Sequence, residues 1–230
     1  HKAIRRQRQM CIRDSYLSDQ EWEELRSLNS VGLPIVLLLN AGGPIELAGL
    51  LDVATHIEAV VQISQPGQQG GEAVADVLLG KVTPEGKLTA TWARRYSDYP
   101  EADHFGILSG DLTKSVYREG IYVGYRYYDT TEADVLFPFG HGLSYTTFEY
   151  SVLRLSRSTV REGEEVQVTV TVKNTGAVAG KETVQLYVAP PKGERHRPVR
   201  ELKGFAKVSL QPGESKEVQF TLDKRSLAYY

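Results

Sequence analysis

The sequence predicts two domains, an open α/β sheet followed by an all-β sandwich of immunoglobulin-like architecture. Its 230 residues exceed the ~100–150 residues of a typical single domain. Residues 33–80 contain two successive units of apolar strand, glycine-containing loop and helix, a pattern typical of α/β sheets. From residue 148 onwards, short segments alternate between apolar and polar side chains and are separated by glycine and proline turns. We therefore predict domains at 16–147 and 148–230.

Residues 1–15, "HKAIRRQRQMCIRDS", differ from the rest of the chain and remain unassigned. They hold its only Met and its only Cys, and five Lys or Arg residues against one Asp. A basic tail for nucleic acid and a mitochondrial-type presequence are two interpretations, but the segment is short and has no amphipathic apolar face. The interpretation that we favour is a scar or artefact of sequence assembly.

The first predicted helix follows a capping box. In "SDQE" at 18–21, the Ser18 side chain can accept from the Glu21 amide while the Glu21 carboxylate accepts from the Ser18 amide. Apolar residues then recur at helical spacing up to Gly32, where the helix is expected to end. The following "IVLLL" at 35–39 is a continuous apolar run, which predicts a strand buried on both faces.

A second strand and helix repeat this unit. After "NAGGP" and a short helical segment ending near Leu51, "AVVQIS" at 59–64 predicts another buried strand, parallel to the first. "QPGQQGG" then leads into a helix from Glu72, with Gly80 placed to end it. The loop lacks the spacing of a phosphate-binding motif, so we interpret its glycines as serving close strand-to-helix packing.

Residues 94–142 show little periodicity and predict a long ordered loop, preceded by a short strand in "TATW". The stretch "VYREGIYVGYRYYDTTEADVLFPFGHGLSY" at 116–145 overlaps its second half and is rich in tyrosine, glycine and proline. Aromatic side chains such as Tyr125, Tyr127 and Phe139 can bury large areas. We call residues 117–145 the strap, and predict that it fixes the two domains to each other rather than lining a ligand pocket.

The second domain is predicted from three alternating segments. "EVQVTVTVKNTG" places Val166, Val168, Val170 and Val172 on one face before an Asn-Thr-Gly turn. "ETVQLYV" at 182–188 continues the alternation, and "SKEVQFTL" does so again with Val218, Phe220 and Leu222. With a single cysteine in the chain, no internal disulfide joins the sheets.

Composition argues against several partners. The formal net charge of −2 gives no reason to expect nucleic acid, and no apolar run reaches the ~18–20 residues of a membrane span. His104 and His141 are isolated histidines, which predicts loop hydrogen bonds rather than a metal site. Asp98, Glu101 and Asp103 are interpreted as a solvated acidic face, and the basic segment 192–200 as an exposed hairpin loop. The sequence shows no signal peptide, which favours a cytoplasmic location.

Four blocks, taken in order, resemble the carboxy-terminal half of glycoside hydrolase family 3 of the β-glucosidase type. They are "PGQQGGEAVADVLLGKVTPEGKLTATWA", "YREGIYVGYRYYD", "LFPFGHGLSYTTFEY" and "RPVRELKGFAKVSLQPGESKEVQFTL". The resemblance covers residues 16–230. It implies part of an α/β sandwich domain and then a fibronectin type III-like domain, with Glu119 and Arg126 of the strap as internal partners. It further implies a parent enzyme that hydrolyses terminal, non-reducing β-D-glucosyl residues with retention, without metal or other cofactor.

The resemblance also implies that both catalytic carboxyl groups are missing from this chain. In the family, the nucleophilic Asp lies in a (β/α)8 barrel, and the acid/base Glu lies upstream of the helix that begins at Ser18. Here that upstream position is held by residues 1–15, which contain no Glu. We therefore predict no catalytic, cofactor-binding or metal-ligating residue, and a chain that is inactive by itself. The alternative is a stand-alone carbohydrate-binding or scaffold module; the oligomeric state is not predicted.

Overall fold

The computed structural model describes residues 16–104, 116–191 and 196–228. The chain divides into two compact units, and the division does not follow chain order. The first unit comprises residues up to 76 together with 89–140, and the second comprises 77–88 together with 141–230. None of the described helices has the length and apolar character needed to cross a membrane.

Helix α1 spans Asp19–Ser30 and confirms the predicted capping box. The Ser18 amide donates to the Glu21 carboxylate over 2.7 Å, and the Glu21 amide donates to the Ser18 hydroxyl over 3.4 Å. The helix ends at Ser30 because Gly32 adopts a left-handed backbone with φ of 73°.

Two parallel strands follow α1 in the first unit. Strands β1, Ile35–Leu39, and β2, Ile57–Gln62, pair in parallel, with helix α2, Ala48–Val53, between them. The predicted parallel pairing is therefore confirmed. The expectation that both strands are buried on both faces was wrong, because only the alternate residues Leu37 and Leu39 of β1 are buried and no residue of β2 is. In the described part of the chain this sheet has two strands, and alternate burial is the pattern of a sheet covered on one face.

Helix α3, Gly70–Leu78, begins two residues before the predicted start at Glu72. A Cβ atom at Gly70 would lie 2.5 Å from the Pro66 side chain, so this glycine allows the loop to pack closely on the first turn of the helix. Gly80 has φ of 72°, and its amide donates to the Val77 carbonyl over 3.0 Å, as expected for a residue that ends a helix.

The region predicted as a long loop contains regular structure. Strand β3, Trp92–Ala93, lies just before this region and overlaps the strand predicted in "TATW". It pairs antiparallel with β4, Val135–Phe137, and helix α4 spans Tyr125–Thr131. Short 3₁₀ turns occupy Tyr96–Asp98 and Ala102–His104. The prediction was wrong because α4 is only seven residues long, too short to show a helical period, and because β3 and β4 pair across more than 40 residues.

The second unit contains an antiparallel sandwich. Strands β5, Phe148–Leu155, β6, Val166–Asn174, and β9, Ser215–Leu222, form one sheet in the order β5-β6-β9. Strands β7, Gly180–Val188, and β8, Glu201–Leu210, form the other, and a short helix α5, Lys224–Leu227, follows β9. Every strand pair in this unit is antiparallel, as predicted.

Alternate residues from the two sheets form the core of the sandwich. Val172, Val184, Leu210 and Val218 make one buried cluster, and Val166, Val168 and Leu222 make a second. The predicted inward face of β6 is confirmed, with Val170 half-buried against the first cluster. Core packing therefore fixes the register of the strands, since a shift of one residue would turn these side chains to solvent.

Candidate functional site

The carboxyl ends of β1 and β2 are the edge of the first unit's sheet where ligands bind in open α/β folds. At this edge the Gln62 side-chain amide donates to the Ala41 carbonyl over 2.9 Å. The Oε1 atom of Gln62 is buried and has no hydrogen-bond partner within the described residues. The side chain of Gln65 lies 3.4 Å from the place that a Cβ at Gly42 would occupy. Amide groups and close loop contacts therefore occupy this edge of the sheet.

A small cavity lies next to the loop that follows β1. Its volume is about 10 Å³, and it is lined by Pro44, Ile45, Glu46, Ala93, Arg95, Tyr96 and Tyr99. A cavity needs about 10–15 Å³ to hold a single water, so this cavity is too small for a sugar ring. The Glu46 carboxylate beside it accepts a hydrogen bond from the Tyr96 amide over 2.8 Å. This carboxylate therefore has a structural partner in the first unit.

Four tyrosine rings lie close together in the first unit. The ring centroids of Tyr16 and Tyr96 are 6.1 Å apart, those of Tyr96 and Tyr99 are 5.9 Å apart, and those of Tyr99 and Tyr128 are 6.4 Å apart. Burial raises the pKa of each of these phenols above its ordinary value. The hydroxyl groups consequently stay protonated near neutral pH, and that of Tyr128 donates to the Asp98 carbonyl over 3.3 Å. They can act as hydrogen-bond donors but not as bases.

The acidic residues near this cluster make local contacts. The Asp98 carboxylate accepts from the Arg95 amide over 3.0 Å, and Glu101 lies 3.7 Å from His104. Asp98 and Asp103 are exposed, as the predicted solvated face requires, whereas Glu101 is half-buried. Among the residues described, no group of three or more His, Cys, Asp or Glu side chains could hold a metal ion.

Both predicted isolated histidines lie in the described part of the chain. His104 is exposed beside Glu101, and the carbonyl of His141 accepts a hydrogen bond from the Leu88 amide over 2.8 Å. Residues 192–195 of the predicted basic loop, and the whole of 1–15, lie outside the described residues.

The strap is divided between the two units after Gly140. Within the first unit, the rings of Tyr125 and Phe139 stack with centroids 5.1 Å apart, and Tyr128 is the buried aromatic residue of α4. Tyr125, Tyr127 and Phe139 are half-buried. The predicted roles of the strap in joining the domains, and of Glu119 and Arg126 as internal partners, stay predictions.

Residues 77–88, which we call the clasp, belong to the second unit although they lie within the first domain in chain order. The Thr83 hydroxyl donates to the Ala179 carbonyl over 2.9 Å. The Glu85 carboxylate lies 3.2 Å from the ammonium groups of both Lys181 and Lys207. The clasp therefore contacts the β7–β8 sheet, although Thr83 and Ala179 lie 96 residues apart in sequence, as do Glu85 and Lys181.

The second half of the clasp binds at the start of the sandwich. The Lys87 ammonium donates to the Gly142 carbonyl over 2.8 Å and lies 3.2 Å from the Glu182 carboxylate. Glu182 also accepts from the Tyr150 hydroxyl over 2.8 Å. Burial, followed by the interaction with Glu182, raises the pKa of Tyr150, so this phenol remains a donor. These contacts are those of a structural network rather than of a reaction centre.

The Glu85 carboxylate has an altered pKa. Partial burial would raise this pKa, but the hydrogen bonds from Lys181 and Lys207 and the charges of these two lysines lower it below its ordinary value of 4.5 overall. A carboxyl whose pKa is lowered in the folded state contributes stability above its unfolded pKa. This contribution is lost as the pH falls through the folded pKa.

We expect Glu85→Gln to destabilise the second unit at pH 7. The loss should not exceed about 1 kcal/mol, because Glu85, Lys181 and Lys207 are partly exposed and solvent weakens their interaction. The difference from the unaltered chain should shrink as the pH falls through the lowered pKa of Glu85, where the carboxyl becomes protonated in the folded state as well as in the unfolded state. Urea unfolding of both proteins at pH 7 and pH 3 measures this difference. Glu58→Gln, at an exposed position of β2, is the matched control; an equal loss from both substitutions at pH 7 would contradict the role of Glu85.

The fold defines the class of protein: an α/β unit with a parallel strand pair and an antiparallel sandwich of fibronectin type III-like architecture. Comparison with known families agrees. The glycosyl hydrolase family 3 C-terminal domain matches residues 12–125, and the fibronectin type III-like domain matches residues 182–230. The chain belongs to glycoside hydrolase family 3, of which it carries these C-terminal domains.

Curated relatives are β-glucosidases. The chain is 49% identical over 196 residues to thermostable beta-glucosidase B of Acetivibrio thermocellus, a match that covers 85% of this chain and 25% of that protein. It is 44% identical over 210 residues to a beta-glucosidase of Bacteroides ovatus, covering 90% of this chain and 27% of the relative. The chain thus spans about a quarter of the length of these relatives.

Solved structures show the same relationship. Beta-glucosidase 3B from Thermotoga neapolitana, in complex with glucose, superposes with a TM-score of 0.84 at 42% identity, covering 94% of this chain and 30% of that one. A family 3 beta-glucosidase from Bifidobacterium adolescentis gives a TM-score of 0.80 at 37% identity, with coverages of 94% and 31%. The predicted fold and family are therefore confirmed.

Proposed function

We propose that this chain is the C-terminal part of a β-glucosidase that hydrolyses terminal, non-reducing β-D-glucosyl residues with retention of configuration. The observation that carries the proposal is the 49% identity to a thermostable beta-glucosidase over 85% of the chain. This match extends across both domains, so it is not limited to one widespread fold.

By itself the chain is proposed to be inactive. A retaining glycosidase needs two carboxyl groups about 5 Å apart, one to attack the anomeric carbon and one to act first as acid and then as base. In the first unit, Glu46 accepts from a backbone amide, Asp98 does so as well, and Glu101 faces His104. The cavity beside Glu46 is also too small for a glucosyl ring. These contacts support a structural contribution to the parent enzyme, with the reacting carboxylates supplied by other residues.

A graft tests the proposal directly. Residues 16–230 would replace the matching segment of the Acetivibrio thermocellus enzyme, and hydrolysis of an aryl β-glucoside would be measured for the graft and for the isolated chain. We expect turnover by the graft and none by the isolated chain, because the loss of catalytic carboxylates costs orders of magnitude in rate.

Two controls give the result its meaning. The relative with its matching segment deleted should be inactive, which shows that the grafted residues are needed. Turnover by the isolated chain, freed of contaminating enzyme, would overturn the prediction of inactivity. A folded graft without turnover would contradict the proposed function. In that case, tight binding of oligosaccharides by the isolated chain would favour the carbohydrate-binding module.

A further inference from the structure

Residues 81–85 of the clasp lie between two glycines and form a segment that we call the flap. Gly80 precedes it with a left-handed backbone at φ of 72°, and Gly86 follows it. Among the described residues, a Cβ atom at either glycine would have no neighbour within 4 Å. Glycine has the widest range of backbone conformations, and hinges often lie at such small residues at the ends of a moving segment. Both ends of the flap therefore have the character of hinges.

No core packing holds the flap in place. None of its residues is buried, and Val82 is 50% exposed. Among the described residues, no backbone–backbone hydrogen bond involves residues 82–85. Segments with few buried apolar contacts and exposed backbone groups open most readily by local unfolding. The position of the flap consequently depends on its side chains.

Two side chains attach the flap to the β7–β8 sheet and to the residue before β7. The Glu85 carboxylate lies 3.2 Å from the ammonium groups of Lys181 in β7 and Lys207 in β8. The Thr83 hydroxyl donates to the Ala179 carbonyl over 2.9 Å. The three charged side chains are 32%, 50% and 43% exposed, in the order Glu85, Lys181, Lys207. Salt weakens the attraction between such exposed charges.

The two residues that end the clasp are held more firmly than the flap. The Leu88 amide donates to the His141 carbonyl, and the Lys87 ammonium donates to the Gly142 carbonyl, each over 2.8 Å. Lys87 also pairs with Glu182 at 3.2 Å, and these two side chains are only 19% and 13% exposed. Salt screens partly buried pairs much less than exposed pairs. It should therefore weaken the contacts of the flap more than those of Lys87.

We propose that the flap is a salt-sensitive switch. It opens at its two flanking glycines when ions screen the contacts of Glu85, while residues 87–88 stay bound to the sandwich. Opening separates Lys181 and Lys207 from their shared carboxylate and makes the backbone of the flap accessible to proteases. The proposal does not rest on the proposed function, because every contact in it lies within the second unit.

Limited trypsin cleavage of the whole chain tests this switch. It is measured at about 0.01 M and about 1 M salt, between which the screening length falls from about 30 Å to about 3 Å. Mass spectrometry compares cleavage after Lys81, in the flap, with cleavage after Lys87, outside it, so that an effect of salt on trypsin itself cancels. We expect the ratio of the first rate to the second to rise about threefold or more at high salt, because exposed ion pairs are the ones that salt weakens.

Variants assign the response to the proposed charges. Glu85→Gln should raise the ratio at low salt to the value of the unaltered chain at high salt and should remove its salt dependence. Lys207→Gln leaves one of the two lysines and should give an intermediate ratio. Glu58→Gln, at an exposed position of β2, is the matched control and should behave as the unaltered chain does. Cleavage after Lys173, within β6, should stay slow throughout, which shows that the sandwich remains folded.

Three results would overturn the proposal. One is an unchanged ratio in the unaltered chain, including the case in which both cleavages rise equally because the whole clasp detaches. Another is a salt dependence that persists in Glu85→Gln, since the responsible charges would then lie elsewhere. The third is an equal change of the ratio in the Glu58→Gln control. If Glu85→Gln does not fold, Lys181→Gln and Lys207→Gln provide the same comparison, and a full salt response in both would refute the switch.

Discussion

Replacing Asn174 by alanine is expected to lower the free energy of unfolding of the second unit by about 3 kcal/mol or more. Asn174 ends β6 and is completely buried. Its side-chain oxygen accepts from the Thr146 hydroxyl over 2.6 Å and from the Gly176 amide over 3.0 Å. Its amide nitrogen donates to the carbonyls of Val178, over 2.8 Å, and Leu210, over 3.1 Å. Alanine would remove all four bonds and leave buried partners unpaired, which costs more than the bonds themselves contribute.

Hydrogen exchange at the amides of β6 and β8 measures this effect within the second unit, and urea unfolding followed by circular dichroism measures the overall loss. Asn174→Asp should be at least as damaging, because a carboxylate oxygen would then face two carbonyl oxygens without a donor. Gln219→Ala is the control, since Gln219 is an exposed β9 residue whose side chain donates to Gln167 over 3.0 Å. A loss below about 1 kcal/mol for Asn174→Ala would show that solvent or rearrangement replaces the missing bonds.

The features predicted best from the sequence are those encoded by neighbouring residues. The capping box of Ser18 and Glu21 needs only a three-residue spacing. The strand at 35–39 is a continuous apolar run, and β6 shows strict alternation of valines with polar residues. Gly80 ends α3 because glycine adopts the left-handed conformation without steric cost. In each of these cases local preference and the final fold agree.

The features that the sequence did not reveal depend on distant partners. The residues "NTG" at 174–176 predict a turn, but the partners of Asn174 at residues 146 and 210 lie 28 and 36 positions away. The clasp gave no sign of its role, because Glu85 meets Lys181 across 96 residues. Likewise, β4 is defined by its pairing with β3, and neither strand is longer than three residues. Composition and periodicity contain no information about such pairings.

The prediction of the candidate site had a different limit, which was the set of residues that this chain contains. Family resemblance placed the reacting carboxyl groups outside this chain, so the sequence predicted no catalytic residue in it. The structure adds the surroundings of each acidic side chain, such as the Tyr96 amide that binds Glu46 and the lysines that bind Glu85. It also shows that the ring of Phe205 is exposed. The alternation of apolar and polar side chains in β8 does not distinguish this ring from a core residue. Burial is decided by the packing of whole sheets, and sequence pattern reports it only indirectly.

Gly142→Ala is expected to release part of the clasp and to destabilise the second unit by about 2–3 kcal/mol. A Cβ atom at Gly142 would overlap the Gly86 carbonyl oxygen and would lie 3.0 Å from the Lys87 side chain. The overlap is with backbone, so it can be relieved only if the chain around residues 86–88 moves. That movement would weaken the hydrogen bond from Lys87 to the Gly142 carbonyl and the one from the Leu88 amide to the His141 carbonyl.

The same pair of residues supplies the control for this prediction. Gly86 has no atom within 4 Å of the position that its Cβ would take and no left-handed backbone, so Gly86→Ala should change stability by less than about 0.5 kcal/mol. Urea unfolding measures the loss, and trypsin cleavage after Lys87 reports release of the clasp, because that side chain is paired with Glu182 at 3.2 Å when the clasp is bound. Faster cleavage in Gly142→Ala but not in Gly86→Ala would locate the defect at the contact between residues 86 and 142. If both substitutions left cleavage and stability unchanged, the clasp would not be an integral part of the second unit, and the stability of the sandwich would have to come from its strands alone.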